Sequence, residues 1–364
     1  MMDFSINESQ KMIIKSLQDK LEKKVDFKLL NNKAEKKSHY KYGWNELLEL
    51  GYIGMLTEEN YGGYGLSFFD FCLMLEKWGY NLCEGPVIEN SISGILTLQK
   101  FDSEKFQTLI AQLSNSEEIL TSNILEQYIH KKDLPSISKI KEKTLLNGTL
   151  SNVPFYKESS NIMMIAKSKS GEQVVIIPSD YFEILEHKTS LIGEEIYDLK
   201  IRDFHISEKN LIGTNKNCNN IIDFMYYHTL ISKCSETIGA AEHILDITLN
   251  YVKNREQFNT KIGSFQSVQH NLSDMYININ EARELIRFAS KEIYSEKFKK
   301  LSLLCKIICD EKISQVSWTA HQLHGAIGFT WDYGLHLLTK KILINKNLGG
   351  NINFYSNKIF QYEA

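Results

Sequence analysis

Along the stretch from Tyr251 to Arg283, apolar residues recur at helical spacing on both sides of a short polar turn. Upstream, Ile238, Ala241, Leu245, Thr248 and Val252 fall on one helix face. Downstream, Phe265, Val268, Leu272, Met275, Ile279, Ala282 and Leu285 do the same. The spacing predicts two long helices joined by a short, fixed turn that holds Arg255, Gln257, Phe258, Gly263, Phe265 and Gln266. A guanidinium, amides and aromatic rings gathered in one turn suit a ligand with both phosphates and a flat ring.

The rest of the chain is placed around this pair. Asn7 and Gln10 form a capping-box pattern ahead of Ile13, Ile14, Leu17 and Leu21, predicting an opening helix. A second amphipathic turn from Trp44 to Leu50 stops at Gly51, and Gly62-Gly63-Tyr64-Gly65 then leads into an apolar helix. No strand precedes those glycines and G-x-G-x-x-G spacing is absent, so they read as a tight connection using positive φ, not as a phosphate cradle. Helices continue over 84–113, broken at Gly85-Pro86. Near residue 118 the pattern changes to short apolar runs, SNIMMIAKS, QVVIIPSD, YFEIL and LKIRDFHI, separated by Asn147-Gly148, Ser170-Gly171 and Pro178-Ser179-Asp180. These predict antiparallel strands joined by turns. Helical periodicity returns after Asn215 to Asn220 and runs to about Asn347. The expected class is therefore α+β, with an N-terminal α domain over 1–117, a central antiparallel β domain over 118–216 and a C-terminal α-helical bundle over 217–364.

With 364 residues and 43% hydrophobic content, the chain can bury the cores of two or three domains. A net charge of −3 provides no electrostatic footprint for nucleic acid, and the pairs Lys131-Lys132 and Lys340-Lys341 read as solvated faces. The six cysteines are scattered; Cys305 and Cys309 fall on one face of a periodic helix, which buries two small side chains more readily than it builds a zinc site. His321 and His324 lack a third ligand nearby in the sequence, so no metal is expected. The N-terminus has no apolar h-region and no window approaches a membrane span, which together predict a soluble, cytoplasmic protein with no membrane partner.

The stretch from Tyr251 to Met275, Y-x-x-x-R-x-Q-F-x-x-x-I-x-x-F-Q-x-V-Q-x-x-L-x-D-M, resembles a motif of the acyl-CoA dehydrogenase family of flavoproteins, and Gln322-Leu323-His324-Gly325-Ala326-Ile327-Gly328-Phe329-Thr330-Trp331-Asp332 resembles a second. The words DFSINESQ and TEENYGGYGLS are similar to the family's opening and to its N-terminal connector, so the resemblance spans nearly the whole chain. It implies a C-terminal four-helix bundle, bound FAD, and oxidation of the Cα–Cβ bond of an acyl thioester carried on CoA or on a carrier protein. Arg255 then matches the arginine that grips the FAD pyrophosphate across a subunit interface, in a dimer or tetramer. Gln266 and Gln322 match the cofactor amides and Phe258 the aromatic. Gly325 to Gly328 would let backbone approach the cofactor, with Ala326 replacing a common glycine. Thr121 to Glu126 departs from the family's flavin-contacting loop, and Val153-Pro154 is similar to a divergent bacterial subgroup.

The family reaction needs a carboxylate to take the α-proton. Its two usual positions correspond to Thr229 and Gly349, and neither is acidic. Glu236, two helical turns beyond Thr229, is one candidate; Asp332 reads either as a site carboxylate or as a helix N-cap. Two alternatives stay open beside an FAD-dependent acyl-CoA dehydrogenase-like enzyme. One is a catalytically incomplete subunit of a heteromer whose paralogous partner carries the glutamate; the other is a flavoenzyme of different chemistry.

Overall fold

The computed structural model describes residues 6–21, 27–35, 42–140, 143–214, 217–331 and 333–363. Its N-terminal helices are α1 (Glu8–Leu21), α2 (Phe27–Ala34), α3 (Trp44–Glu49) and α4 (Phe68–Tyr80), followed by a π-helical stretch, Glu89–Leu96, that runs into α5 (Thr97–Ser114). The expected capping box starts α1: the Gln10 N–H donates to Asn7 Oδ1 at 2.9 Å and the Asn7 N–H donates to Gln10 Oε1 at 3.0 Å. In the glycine-rich connection Gly62 and Gly65 have φ of 87° and 58°, values that favour glycine.

The sheet is built from β1 (Leu120–Ser122), β2 (Ser136–Ile140), β3 (Lys143–Pro154), β4 (Asn161–Ser168), β5 (Gly171–Pro178), β6 (Glu183–Thr189), β7 (Glu195–His205) and β8 (Leu211–Ile212), with α6 (Ile124–Ile129) between the first two strands. Its order is β6-β7-β3-β2-β4-β5-β8, with β1 beside β4. Most pairings are antiparallel; β1 and the first residue of β2, Ser136, pair in parallel with β4, which makes the sheet mixed. Alternation along the strands separates two cores: Met163, Ile165, Val174 and Ile176 face the helices, while Ile162, Met164, Val175 and Ile177 face inward with β3 and β7. Ser170-Gly171 makes the β4–β5 hairpin as expected. Asn147-Gly148 does not form a turn. It lies within β3 at a register shift, where Gly148 packs its bare backbone against Pro135.

The C-terminal half is organised by α7 (Cys218–Asn254), buried on nearly all sides. A hairpin of β9 (Glu256–Gln257) and β10 (Thr260–Lys261) leads to α8 (Gln266–Lys291), then α9 (Phe298–Ile308). A π-helical stretch, Cys309–Ile313, enters α10 (Ser314–His324), and α11 (Leu335–Lys346) follows. The last helix, α12 (Ile352–Glu363), extends beyond the expected end of periodicity. Helices α4 and α7 cross glycine to backbone in both directions: a Cβ on Gly79 would strike the Glu236 carbonyl, and one on Gly239 the Glu76 carbonyl. Arg283 and Arg287 of α8 clamp the Glu76 carboxylate at 3.1 and 3.2 Å beside that crossing. No helix among the described residues is long and apolar enough to cross a membrane.

Candidate functional site

Where the sheet meets α7 and α11 lies a cavity of about 420 Å³. Its walls come from Val87 to Glu89, from Ile124 and Leu125 of α6, from Pro154 and Phe155 at the end of β3, from Thr229, Lys233 and Glu236 of α7, and from Lys341, Ile344, Asn345 and Leu348. Residues of α7 four and three apart point one way, which is why Thr229, Lys233 and Glu236 share this wall.

The floor is ionic and shielded from water. Lys341 Nζ lies 3.0 Å from Glu194 Oε1 and 3.0 Å from Glu236 Oε1, while Asn345 donates to Glu236 Oε2 at 3.0 Å. Burial pushes the Glu236 carboxyl up, but Lys341, Lys233 and Asn345 more than offset it and hold it below the ordinary carboxylate value. Lys233 reaches Glu89 at 3.4 Å and Glu236 at 3.9 Å. Lys341 is therefore not part of a solvated face, because two carboxylates on distant segments draw it inside. Lys131 stays near the surface, paired with Glu172 at 2.9 Å.

Of the two family-equivalent positions, Thr229 lines the cavity and Gly349 directly follows the lining residue Leu348. The Gly349 backbone, at φ 80°, packs on Leu230 and Leu125, and the Tyr226 hydroxyl donates to its carbonyl at 2.6 Å. The Thr229 Oγ1 is buried on the cavity wall without a hydrogen-bond partner among the described residues.

A second group of predicted residues lies on an exposed end of the helical bundle. Arg255 caps α7, its N–H donating to the Tyr251 carbonyl at 2.8 Å, and its own carbonyl accepts from the Ile262 N–H at 2.9 Å. Phe258 and Asn259, at φ 54° and 58°, form the two-residue hairpin tip. Phe258 is 90% exposed. Gln266 opens α8 and Gln322 lies in the last turn of α10, both exposed. Tyr251 joins the two motifs: its ring stacks on His324 at 4.4 Å and its hydroxyl donates to the His324 carbonyl at 3.3 Å. Gly325 has φ 64° with open space where a Cβ would stand, whereas Ala326 is not among the positive-φ positions, so the alanine meets no backbone demand that only glycine fills. Exposed donors, an arginine without an ion-pair partner among the described residues, and open backbone at Gly325 suit an extended anionic ligand. His321 and His324 are buried, and burial pushes both imidazoles below their ordinary value. Asp332 lies outside the described residues.

Residues 227–361 match the family model for the acyl-CoA dehydrogenase C-terminal domain, and residues 7–108 match the model for its N-terminal domain. The chain belongs to the acyl-CoA dehydrogenase family. A probable acyl-CoA dehydrogenase, YngJ, of Bacillus subtilis is 24% identical over 80% of this chain and 81% of its own. In fold, the chain is similar to butyryl-CoA dehydrogenase of Megasphaera elsdenii, with a TM-score of 0.89, 18% identity and 99% of both chains covered. It is also similar to a chain of the ChsE4-ChsE5 complex of Mycobacterium tuberculosis, with a TM-score of 0.87, 19% identity and coverage of 99% and 98%.

In this acyl-CoA dehydrogenase-family chain, Glu89, Glu194 and Lys233 are cavity residues that the sequence pattern does not single out, and Lys341 is one that it places on a solvated face. Lys233 alone had a signal, being one turn from Thr229 on a helix face that also carries Glu236. Glu89 and Glu194 come from separate elements and meet the others only through the tertiary fold.

Proposed function

We propose that this acyl-CoA dehydrogenase-family chain is a cytoplasmic, FAD-dependent oxidoreductase acting on the Cα–Cβ bond of an acyl thioester, borne on CoA or on a carrier protein, within a dimer or tetramer. The observation that carries this reading is the cavity lined by Thr229, one family base position, and by Leu348, the residue before the other. FAD, when bound, supplies the hydride-accepting chemistry. Arg255 would grip its pyrophosphate, with Gln266, Gln322 and Phe258 beside it and Gly325 offering close backbone approach. The Ile124, Leu125, Pro154 and Phe155 surfaces keep water from the reacting carbons.

A second reading is favoured by one feature of the same cavity. Both Glu236 oxygens are engaged, by Lys341 and by Asn345, so this carboxylate serves Lys341 better than it serves a substrate proton. With no carboxylate at Thr229 or Gly349, a paralogous subunit that carries the base is the simplest completion. The test is to purify the chain alone and with such a subunit, release the flavin by denaturation, and follow flavin absorbance after adding acyl thioesters. Absence of FAD from both preparations overturns the cofactor reading, and flavin that no acyl thioester reduces in either preparation overturns the reaction.

A further inference from the structure

We propose that the cavity takes an acyl thioester whose acyl group carries a protonated amine, and that the Glu89 carboxylate receives it. The inference rests on the acyl-thioester reading and deepens it to a substrate class.

Glu89 opens the π-helical stretch, lines the cavity and is only 6% exposed. Its Oε1 faces Lys233 at 3.4 Å, a long contact, and its Oε2 is sealed from solvent with no partner among the described residues. A buried carboxylate oxygen left this way is costly unless something arrives to satisfy it.

The charge balance points the same way. The connected cluster sets three carboxylates, Glu89, Glu194 and Glu236, against two ammonium groups, Lys233 and Lys341. Lys341 is held at 3.0 Å by each of Glu194 and Glu236, and Glu89 has only the 3.4 Å contact to Lys233, so the cluster as a whole is one positive charge short and the carboxylate oxygen left open in it is Oε2 of Glu89. Beside its charged groups the same cavity has apolar wall from Val87, Ile88, Ile124, Leu125 and Leu348. A plain alkyl chain would leave the open oxygen desolvated, and an anion would add to the excess charge. A cation with N–H donors restores both balances at once.

The position sets where the amine must be. Lys233, which contacts Glu89, lies one turn of α7 beyond Thr229, a rise of roughly 6 Å. The ammonium would therefore stand a few bonds past the carbonyl, deeper than the reacting carbons.

The decisive measurement is calorimetric titration of the FAD-loaded protein, with any subunit that accompanies it, against 4′-phosphopantetheine thioesters, the portion that CoA and carrier proteins share. 3-Aminopropanoyl, its near-isostere butanoyl, and glutaryl thioesters are compared. The aminoacyl ester should bind at least about tenfold tighter than butanoyl, the scale of one charge-assisted hydrogen bond. Glu89→Gln should bring that ratio to about one while retaining flavin. Lys233→Met, which leaves the carboxylate less compensated, should raise the ratio and decides the matter if the Glu89 variant does not fold. Equal affinities in the wild type, a ratio unchanged by Glu89→Gln, or tightest binding of glutaryl each overturns the proposal. If no thioester binds the wild type at all, the thioester reading falls first and this inference falls with it.

Discussion

Lys341 has both of its near carboxylates, Glu194 and Glu236, at 3.0 Å and almost no water, so neither charge can be removed alone without stranding its partners. Lys341→Met is expected to destabilise the fold by about 3–5 kcal/mol, the usual cost of leaving a buried charge unpaired, read from chemical denaturation midpoints. Glu236→Gln keeps the hydrogen-bonding shape and should cost less. An equal loss in the two variants would mean that Asn345, not Lys341, anchors the Glu236 carboxylate. His228 gives a pH-dependent case. Burial against the rings of Phe68, Phe224 and Phe298 pushes its imidazole down from 6.5 to about 3. Because the folded value lies below the unfolded one, the neutral ring's contribution is present above pH 6.5 and is lost as pH falls toward 3. The slope from this group alone reaches about 1.4 kcal/mol per pH unit, so Tm should drop through that window and His228→Leu should flatten the drop. An identical acid limb in the variant would assign the loss to other groups. Arg255, Gln266 and Gln322 can be proposed from sequence because each stands in a contiguous motif, one at 251–275 and one at 322–332. Lys341 was misread as a solvated lysine because its partners lie far away along the chain, where no local pattern can show them.

The crossing of α4 and α7 depends on two glycines that look like mid-helix defects when read locally. Gly79 abuts the Glu236 carbonyl and Gly239 the Glu76 carbonyl, so the two backbones touch at the point that also aims Glu236 into the cavity. Gly239→Ala raises intrinsic helix propensity, yet it should destabilise by about 1–3 kcal/mol or more because the helices must move apart. Urea unfolding checks the sign: a stabilised variant would show that the crossing has slack. The same contrast explains what was readable among the elements. The α1 cap and the helices flanking Arg255 follow from short-range spacing, and the structure has them where that spacing puts them. Asn147-Gly148 carries a generic turn signal, but the close approach of Pro135 to Gly148 is a long-range event, and it makes the pair a bulge inside a strand. The charged floor of the cavity draws on four elements and so had no linear signature.

At the scale of the molecule, the order of helices, sheet and helices was visible in the changing period of the apolar pattern, while the assembly has to be read from what the folded chain leaves uncovered. Phe258, Phe329 and Tyr276 are 90%, 62% and 60% exposed, and the first turns of α8 stand clear of the core. We expect sedimentation to show a dimer or tetramer; a single 42.1 kDa species holding FAD would contradict an interface-bound cofactor. Arg255→Ala should then lose flavin, since truncating one partner of a desolvated charge pair costs about 2–5 kcal/mol, and wild-type flavin content in that variant would remove the pyrophosphate role. Cofactor retention and turnover should separate in the isolated chain. Loss of a positioned general base removes about 10²- to 10⁴-fold of rate, and Thr229 and Gly349 offer no carboxylate. The chain alone should therefore hold flavin yet oxidise acyl thioesters slowly, and a subunit carrying the base should restore the rate, with that subunit's glutamate the sensitive residue. If Glu236 is instead a relocated base, the chain alone turns over and Glu236→Gln silences it while keeping FAD. Fast turnover by the isolated chain that survives Glu236→Gln would defeat both and direct the search to the cavity carboxylates with an open oxygen, Glu84 and Glu89.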